Sequence, residues 1–463
     1  MSDVLISEPD GPTIPVRLIP ESGWAEALET QGGARLKALA RTQEFTGRAG
    51  QVMIAPGADG APEAAYLGMG KGALRPMALR TLAGRLPPGD YVLQDAPGEL
   101  DPVQAGVAFA LGAYRFDRYR KRGGPGRARL VLPSSACAAA QIEAQACALA
   151  RDMINTPAND MGPLQIETIA REIAEAFGAQ ITVIAGEGLL EANFPAVHAV
   201  GRAATPQRAP RMIEITWGDQ TAPRLALVGK GVVFDTGGLD IKPSSGMRLM
   251  KKDMGGAASV LALGRMIMAA ALPVRLTILT PVVENAISGD AMRPGDILAS
   301  RKGMTIEVGN TDAEGRLILA DALTRAAELE PELTIDMATL TGAARAALGP
   351  QLPPFFTDDD ALARAIEEAA EAVDDPVWRM PLWSGYSDAL DSDIADIKND
   401  PDAWAQAGAV TAALFLQKFA PTTGSWVHLD VMAWNPRNRP GWPSGGEAQG
   451  VRALYRMIRA RYG

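Results

Sequence analysis

The fold is decided by a stretch in the middle of the chain, Leu225-Ala226-Leu227-Val228-Gly229-Lys230-Gly231-Val232-Val233-Phe234-Asp235-Thr236-Gly237-Gly238. Its first four residues form a short apolar run, which predicts a buried strand. The glycines that follow predict a loop, and a helical pattern then covers residues 257–271. A strand, a glycine-rich loop and a helix in this order are typical of an α/β protein.

The same alternation of strands and helices continues towards the N-terminus. We predict strands there at 52–55, 91–93 and 128–132, and helices at 102–116 and 138–153. The second helix ends before Pro157, because proline disfavours the helical conformation in the residue that precedes it. We therefore predict an N-terminal α/β domain over residues 1–156, with a linker helix at its end, and a second domain over residues 157–463.

The second domain carries the longer alternation. Its predicted strands are 181–184, 212–216, 225–228, 276–279, 305–308, 333–336 and 426–431, and its predicted helices are 166–177, 257–271, 317–328, 361–373 and 409–419. The predicted fold class is therefore α/β, with two α/β domains. We expect the C-terminal domain to be a mixed sheet sandwiched by helices.

Composition excludes several classes of site. The 463 residues include only two histidines, His198 and His428, and two cysteines, Cys137 and Cys147. A zinc module with four clustered Cys or His ligands and a disulfide scaffold are therefore both excluded. Ser-His-Asp or Cys-His catalysis would have to use one of the two histidines, which we interpret as structural. Any metal site must be built mainly from carboxylates.

Charge and hydropathy bear on partners and location. The chain has 45 Lys and Arg against 54 Asp and Glu, a net charge of −9, which argues against nucleic acid as a general partner. We interpret the basic run from Arg118 to Arg122 as a solvated loop. The acidic start lacks signal-peptide features, and the longest uncharged stretch, 403–417, is too short to span a membrane. We expect a cytoplasmic protein without a membrane partner.

Carboxylates concentrate in two stretches that each follow a predicted strand. The first runs from Val228 to Pro243 and continues through Met250-Lys251-Lys252-Asp253-Met254, and the second is Gly309-Asn310-Thr311-Asp312-Ala313-Glu314-Gly315-Arg316-Leu317. Ligands in open α/β sheets bind at the carboxyl ends of strands, where these loops would lie. The stretches together supply four acids: Asp235, Asp253, Asp312 and Glu314.

Four acids gathered without cations would repel one another, whereas two divalent ions would neutralise them. Asp312 and Glu314 are two residues apart, so an extended segment would point both to one side. An oxygen-rich site suits Zn, Mn or Mg. Two alternatives stay open: ordinary turns with surface lysines, and a phosphate-binding loop around Lys230, although GxxxxGK followed by Ser or Thr is missing.

With both stretches complete, the chain resembles the leucyl aminopeptidases, which are cytosolic aminopeptidases with two metal ions. The family's octapeptide Asn-Thr-Asp-Ala-Glu-Gly-Arg-Leu stands unbroken from Asn310 to Leu317. The pattern Lys-Gly-(x)3-Asp-(x)-Gly-Gly-(x)3-Lys-Pro is complete from Lys230 to Pro243, and Met-Lys-x-Asp-Met begins at Met250. The resemblance covers the chain from about residue 155 to its end.

The resemblance implies a role for each matched residue. The metal ligands would be Lys230, Asp235, Asp253, Asp312 and Glu314, with Asp235 and Glu314 bridging two divalent ions, Zn or Mn. Lys242 would donate a hydrogen bond to the developing oxyanion, and Arg316 would hold a bicarbonate ion that acts as base. Substrate contacts would come from Met250, Asn310, Thr339, Leu340 and Gly342.

The resemblance also implies the reaction. The free amine of a peptide would bind one metal with help from Asp253, and a metal-bridging water would attack the scissile carbonyl. The enzyme would release N-terminal amino acids, preferably apolar ones such as leucine, and would assemble as a homohexamer. Met432, Ala433 and Trp434 differ from what many members carry, which bears on side-chain preference.

Two hypotheses from other classes remain. The chain could be a DNA-binding or regulatory protein on the same fold, for which a basic face around Arg118–Arg122 would be the distinguishing feature. It could also be an inactive interaction protein, which the intact set of ligands argues against.

Overall fold

The computed structural model describes residues 3–71, 75–94, 100–120, 127–401 and 406–463. The chain forms two compact units, Met1–Ala148 with Arg437–Ser444, and Leu149–Pro436 with Gly445–Gly463. The predicted boundary at residue 156 falls inside the second unit. The assignment of residues 437–444 to the first unit was not predicted from the sequence.

The N-terminal part of the chain is built on a six-stranded sheet with the order β1-β6-β5-β2-β4-β3. The strands are β1 (Leu5–Ile6), β2 (Ile14–Pro20), β3 (Val52–Pro56), β4 (Pro62–Gly70), β5 (Gly89–Gln94) and β6 (Ala128–Val131). The helices are α1 (Trp24–Thr42), α2 (Pro102–Ala113) and α3 (Ser134–Asn155). All strand pairs are parallel except β3 with β4, as expected when helices connect the strands.

The second unit is built on a nine-stranded mixed sheet with the order β16-β15-β18-β14-β9-β11-β8-β7, and β10 pairs with β11. Its strands are β7 (Gln180–Ala185), β8 (Arg211–Trp217), β9 (Arg224–Gly229), β10 (Gly231–Asp235), β11 (Arg275–Asn285), β14 (Leu333–Ala338), β15 (Pro354–Phe356), β16 (Trp378–Arg379) and β18 (Ser425–Asp430). Small sheets are formed by β12 (Ile297–Ala299), β13 (Thr305–Glu307) and β17 (Ile397–Lys398), and by β19 (Trp434–Asn435) and β20 (Gly445–Gly446).

Helices cover this sheet. They are α4 (Pro163–Phe177), α5 (Gly188–Glu191), α6 (Pro195–Gly201), α7 (Ser244–Met247), α8 (Gly255–Ala269), α9 (Glu314–Ala327), α10 (Gly342–Leu348), α11 (Asp360–Ala372), α12 (Gly408–Gln417) and α13 (Val451–Tyr462).

Alternate residues of the central strands face opposite layers of helices. Ala226 and Val228 of β9 share a buried apolar cluster with residues of α9 and α12. Ile278 of β11 lies against Gly264 of α8, where an added methyl group would come within 2.2 Å of the Ile278 side chain. Because successive strand residues point to opposite faces, both faces of the sheet are buried. The predicted class, two α/β domains with a mixed sheet between helices, is confirmed.

Most of the predicted elements exist, with shifted ends. The helix predicted at 102–116 ends at Ala113, and the strand predicted at 305–308 lies in the small sheet of β12, β13 and β17. Helix α1 was missed, because Gly32 and Gly33 interrupt its pattern and its backbone is kinked there.

Two predictions from the sequence can be compared only with the described part of the chain. Among the described residues, no helix is long and apolar enough to cross a membrane. The solvated loop predicted around Arg118–Arg122 lies partly outside the described residues, since residues 121–126 are not described.

Candidate active site and metal centre

The predicted site residues meet where parallel strands of the second unit end. Lys230 follows β9, Asp235 ends β10, and Thr339 follows β14. Asp253 and Glu314 lie at the N-terminal ends of α8 and α9. The segment after Lys230 is strand β10 rather than a helix, which argues against the phosphate-loop alternative.

Three of the predicted ligands already have the spacing of a metal site. Asp235, Asp312 and Glu314 each offer a carboxylate oxygen, and these oxygens all lie within 4.8 Å of one another. Burial raises the pKa of Asp312 to about 6, and the neighbouring Asp235 carboxylate adds to the effect. Burial and the same carboxylate raise the pKa of Glu314 well above its usual value. The cluster therefore favours cations.

Lys230 joins the fourth acid to this cluster. Its Nζ lies 2.8 Å from Oδ2 of Asp253 and 2.8 Å from Oε1 of Glu314, and it donates to the Thr339 carbonyl at 3.2 Å. Burial alone would lower the pKa of Lys230, but the surrounding carboxylates outweigh burial and raise it. Gly315 makes this approach possible, since an added methyl group there would lie 2.7 Å from Nζ.

Lys242 lies on the other side of the cluster. Its Nζ is 2.8 Å from Oδ2 of Asp235 and also forms an ion pair with Asp312. Burial alone would lower the pKa of Lys242, but these two carboxylates raise it. The two ammonium groups thus partly neutralise the negative charge of the four acids.

The buried oxygens of the cluster test whether metal ions fit. Both oxygens of Glu314, Oδ2 of Asp253 and Oδ1 of Asp312 are buried and accept no hydrogen bond from the described residues. Ion pairs with Lys230 Nζ, each at 2.8 Å, reach Oδ2 of Asp253 and Oε1 of Glu314, so these oxygens already attract a cation. Buried carboxylate oxygens are normally satisfied, so this set of hard oxygen donors fits divalent ions.

Arg316 forms a buried wall beside the cluster. Its side chain is only 6% exposed, its Nη1 donates to the Asn399 carbonyl at 2.6 Å, and Phe415 packs against the guanidinium at 6.0 Å. Burial lowers the pKa of Arg316. Its Nε is buried and donates to none of the described residues, so a donor to an anion is present.

The expectation that Asp312 and Glu314 share an extended segment is wrong. Asp312 lies in a turn, in which its backbone N–H donates to Oδ1 of Asn310 at 2.8 Å, and Glu314 is the first residue of α9. The two carboxylates nevertheless converge, because the turn brings Asp312 back over the N-terminal end of the helix.

Two asparagines that sequence reasoning missed hold the acidic loops. Asn285, at the end of β11, donates to Oδ1 of Asp235 at 2.9 Å and to the Thr311 carbonyl at 3.1 Å. Asn399 accepts from the Gly309 N–H at 2.8 Å and donates to the Asn310 carbonyl at 2.7 Å. Of the two, only Asn285 lies close after an apolar run, Pro281-Val282-Val283, from which it is separated by Glu284.

Asp430, at the end of β18, holds the loop from Thr339 to Gly342. Its carboxylate accepts from the backbone N–H groups of Leu340 at 3.0 Å and Thr341 at 3.1 Å, and from the Thr341 hydroxyl at 2.6 Å. Within this loop, the Thr339 hydroxyl donates to Oδ1 of Asp253 at 2.8 Å. Asp430 therefore couples the strand end to one of the predicted ligands.

A cavity opens beside the cluster, and the predicted substrate residues divide between its wall and the interior. Asn310, Leu340 and Gly342 line the cavity. Met250 is only 8% exposed and Thr339 is buried, and neither is among the described residues of the lining.

Comparison with known proteins gives the class. Residues 148–455 match the family described as the cytosol aminopeptidase family, catalytic domain, and residues 14–133 match the M17 aminopeptidase N-terminal domain. A probable cytosol aminopeptidase of Syntrophotalea carbinolica is 38% identical over 453 residues, which cover 90% of each chain. These matches define an enzyme of the metallo-aminopeptidase class.

Comparison with solved structures gives the same class of enzyme. The crystal structure of the cytosol aminopeptidase from Coxiella burnetii is 44% identical, with a TM-score of 0.94 and full coverage of both chains. The bottromycin maturation enzyme BotP in complex with Mn is 34% identical, with a TM-score of 0.86 and coverage of 97% and 100%. The chain belongs to the M17 cytosol aminopeptidase family, whose members are hydrolases that remove N-terminal amino acids in a metal-dependent reaction.

Proposed function

We propose that this enzyme holds two divalent ions, Zn or Mn, and releases N-terminal amino acids from peptides, with a preference for apolar residues such as leucine. The observation that carries the proposal is the cluster of carboxylates at the strand ends, in which Oε2 of Glu314 accepts no hydrogen bond from the described residues, while Oε1 of Glu314, Oδ2 of Asp253 and Oδ1 of Asp312 face lysine ammonium groups. The Mn complex of BotP, a structural relative, supports manganese as one of the ions.

The residues that would hold the ions are Lys230, Asp235, Asp253, Asp312 and Glu314. When bound, two divalent ions supply Lewis-acid polarisation of a carbonyl and activation of water. Lys230 would lose its proton on metal binding, because nearby dications favour the neutral amine.

Lys242 and Arg316 would act on the reacting groups. Once the ions occupy the carboxylates, the Lys242 ammonium would be free to donate to the oxyanion that develops on the scissile carbonyl. Arg316 cannot accept a proton, since the guanidinium stays charged. It would instead hold a bicarbonate ion, for which its buried Nε provides a donor.

Substrate would be held around the same strand ends. Asp253 would assist in binding the free α-amine, which explains cleavage of one residue at a time. Asn310, Leu340 and Gly342 would contact the peptide from the cavity wall. Met250 and Thr339 would line the pocket of the N-terminal side chain.

The test combines chelation, metal analysis and one ligand substitution. The enzyme dialysed against EDTA should lose release of leucine from Leu-p-nitroanilide and recover it with Mn or Zn, at two bound ions per chain. Glu314→Ala should lose both activity and bound metal. Glu172→Ala, which removes an exposed acid from α4, should change neither. Unchanged turnover by Glu314→Ala would falsify the proposal.

Assembly and location follow the family resemblance. We propose a homohexamer in the cytoplasm, acting on peptides rather than on nucleic acid. Light scattering of the purified protein tests the assembly, and a gel shift at low salt tests the alternative of DNA binding.

A further inference from the structure

We propose that Asp400 makes the enzyme prefer peptides with a cationic residue directly after the scissile bond over peptides with an anionic residue there. This inference rests on the proposed aminopeptidase function and assigns a substrate class to the same site. The observation behind it is a carboxylate in the wall of the cavity that opens beside the metal ligands.

The cavity has a volume of about 190 Å³ and lies between the octapeptide loop and the Leu340 loop. Asn310, Arg316, Leu340 and Gly408 line it together with Asp400. A volume of this size holds one amino-acid side chain with its backbone, so the cavity suits a single residue of a peptide substrate.

The position of the cavity identifies which residue of the peptide it would hold. The proposed function places the α-amine at Asp253 and the first side chain near Met250, and neither is among the described residues of the lining. Asp312 and Arg316 do line the cavity. A peptide extending past its scissile carbonyl would therefore enter the cavity with its second residue.

The backbone that carries Asp400 is fixed to the site. The preceding residue, Asn399, is fully buried and is hydrogen-bonded to Gly309, Asn310 and Ala313. Oδ2 of Asp400 accepts a long hydrogen bond of 3.4 Å from Nδ2 of Asn310. Among the described residues, Asp400 also interacts electrostatically with the Arg316 guanidinium, and its weakly bonded carboxylate can bind a further donor from the substrate.

Asp400 supplies the negative charge that a substrate would meet in this cavity. Arg316 also lines the cavity and partly offsets this charge, but the residue is only 6% exposed and its Nη1 donates to the Asn399 carbonyl. Asp312 would be occupied by a metal ion. The other described residues of the lining are uncharged. A cationic second residue would gain a charge-assisted hydrogen bond at Asp400, whereas an anionic residue would be repelled.

The experiment compares Leu-Lys with Leu-Glu as substrates of the metal-loaded enzyme, with Leu-Ala as reference. The ratio of kcat/KM for Leu-Lys to that for Leu-Glu should be about 10, the order expected for charges a few ångströms apart near water. Asp400→Asn should reduce the ratio to about 3 or less, mainly through KM. Asp393→Asn removes the same charge from an exposed site earlier in the segment and should keep the ratio of the parent enzyme.

Two further arms keep the outcomes separate. About 1 M salt should lower the ratio of the unmodified enzyme, because screening weakens the contact, which tests the inference even if Asp400→Asn does not fold. A ratio near one, or a ratio that Asp400→Asn and salt leave unchanged while Leu-Ala is cleaved, overturns the role of Asp400 alone. Failure to cleave Leu-Ala with metal bound overturns the proposed function and this inference together.

Discussion

Two groups of buried carboxylates lie on the same sheet, and they differ in how their oxygens are satisfied. Asp336 of β14 is fully buried, and its oxygens contact Nδ1 of His428 at 2.5 Å and Nε1 of Trp426 at 2.7 Å. In the acidic cluster at the strand ends, Oε2 of Glu314 accepts no hydrogen bond from the described residues, and Oε1 faces only the Lys230 ammonium among them.

This difference distinguishes a carboxylate with a structural role from carboxylates that are available to bind metal ions. A buried polar group without a partner costs free energy, so a protein keeps one only where something else binds it. Asp336 is satisfied by its own chain and stabilises the pairing of β14 with β18. The acidic cluster is left open for cations. Burial by itself would have marked both groups alike.

The largest expected effect comes from replacing Glu314, a predicted metal ligand of the acidic cluster, with a neutral side chain. Glu314→Gln should lower kcat/KM for Leu-p-nitroanilide by about 10³-fold, because loss of a bridging ligand removes several kcal/mol of transition-state stabilisation. Without metal, the variant should be at least as stable as the parent, since one of four repelling acids is gone. Activity assays and urea unfolding in EDTA measure the two effects.

This pairing of effects is what distinguishes a ligand from a structural acid. Should Glu314→Gln unfold more readily than the parent in EDTA, Glu314 would belong with Asp336, and the contrast between the two groups would be lost.

Replacement of Asp336, whose oxygens are hydrogen-bonded, should have the opposite result: stability should fall and metal binding should stay the same. Asp336→Asn leaves Trp426 and His428 with a poorer partner inside the core and should cost about 3 kcal/mol of unfolding free energy. Metal content per folded chain should be unchanged. Urea unfolding and elemental analysis report on stability and metal separately, and a loss of bound metal without a loss of stability would reverse the assignment.

A smaller effect is expected for Asp430, a hydrogen-bonded acid that holds the loop beside the predicted ligand Asp253. Asp430→Asn weakens the hydrogen bonds to Leu340 and Thr341 and should lower kcat/KM about 10-fold with metal content retained, as for other residues that orient ligands.

The matched control is Asp359, which caps α11 through the N–H groups of Ala361 and Leu362, away from the site. Asp359→Ala should cost about 1 kcal/mol of stability while leaving kcat/KM unchanged. Equal activity in Asp430→Asn and the parent would show that the loop is positioned without Asp430.

The smallest effect concerns pH. Burial alone would lower the pKa of His428, but Asp336 outweighs burial and raises it above 6.5. The ion pair therefore contributes stability that is fully present below pH 6.5 and is lost as pH rises through the pKa of the folded state. The stability lost in His428→Phe should shrink by the order of 1 kcal/mol between pH 6 and pH 9. A pH-independent difference in urea unfolding would show that His428 acts only by packing.

Much of the site was predictable because its residues are consecutive in the sequence. Asp312, Glu314 and Arg316 fall in one octapeptide, so their proximity is a local property. Their conformation was not predictable, since a turn and a helix end replaced the expected extended segment. Asn399 could not be identified, because it lies about 90 residues from the loop it holds.

The sequence by itself determined the alternation of strands and helices, the scarcity of histidine and the inventory of carboxylates with their two lysines. These are properties of composition and of short segments, and short segments carry their own periodicity and turn chemistry. The tertiary structure decided which acids are left unsatisfied and which are paired, as with Glu314 and Asp336. It also placed Asp400 in the wall of the cavity. Hydrogen-bond partners depend on distances between segments far apart in the chain, and only the packed sheet sets those distances.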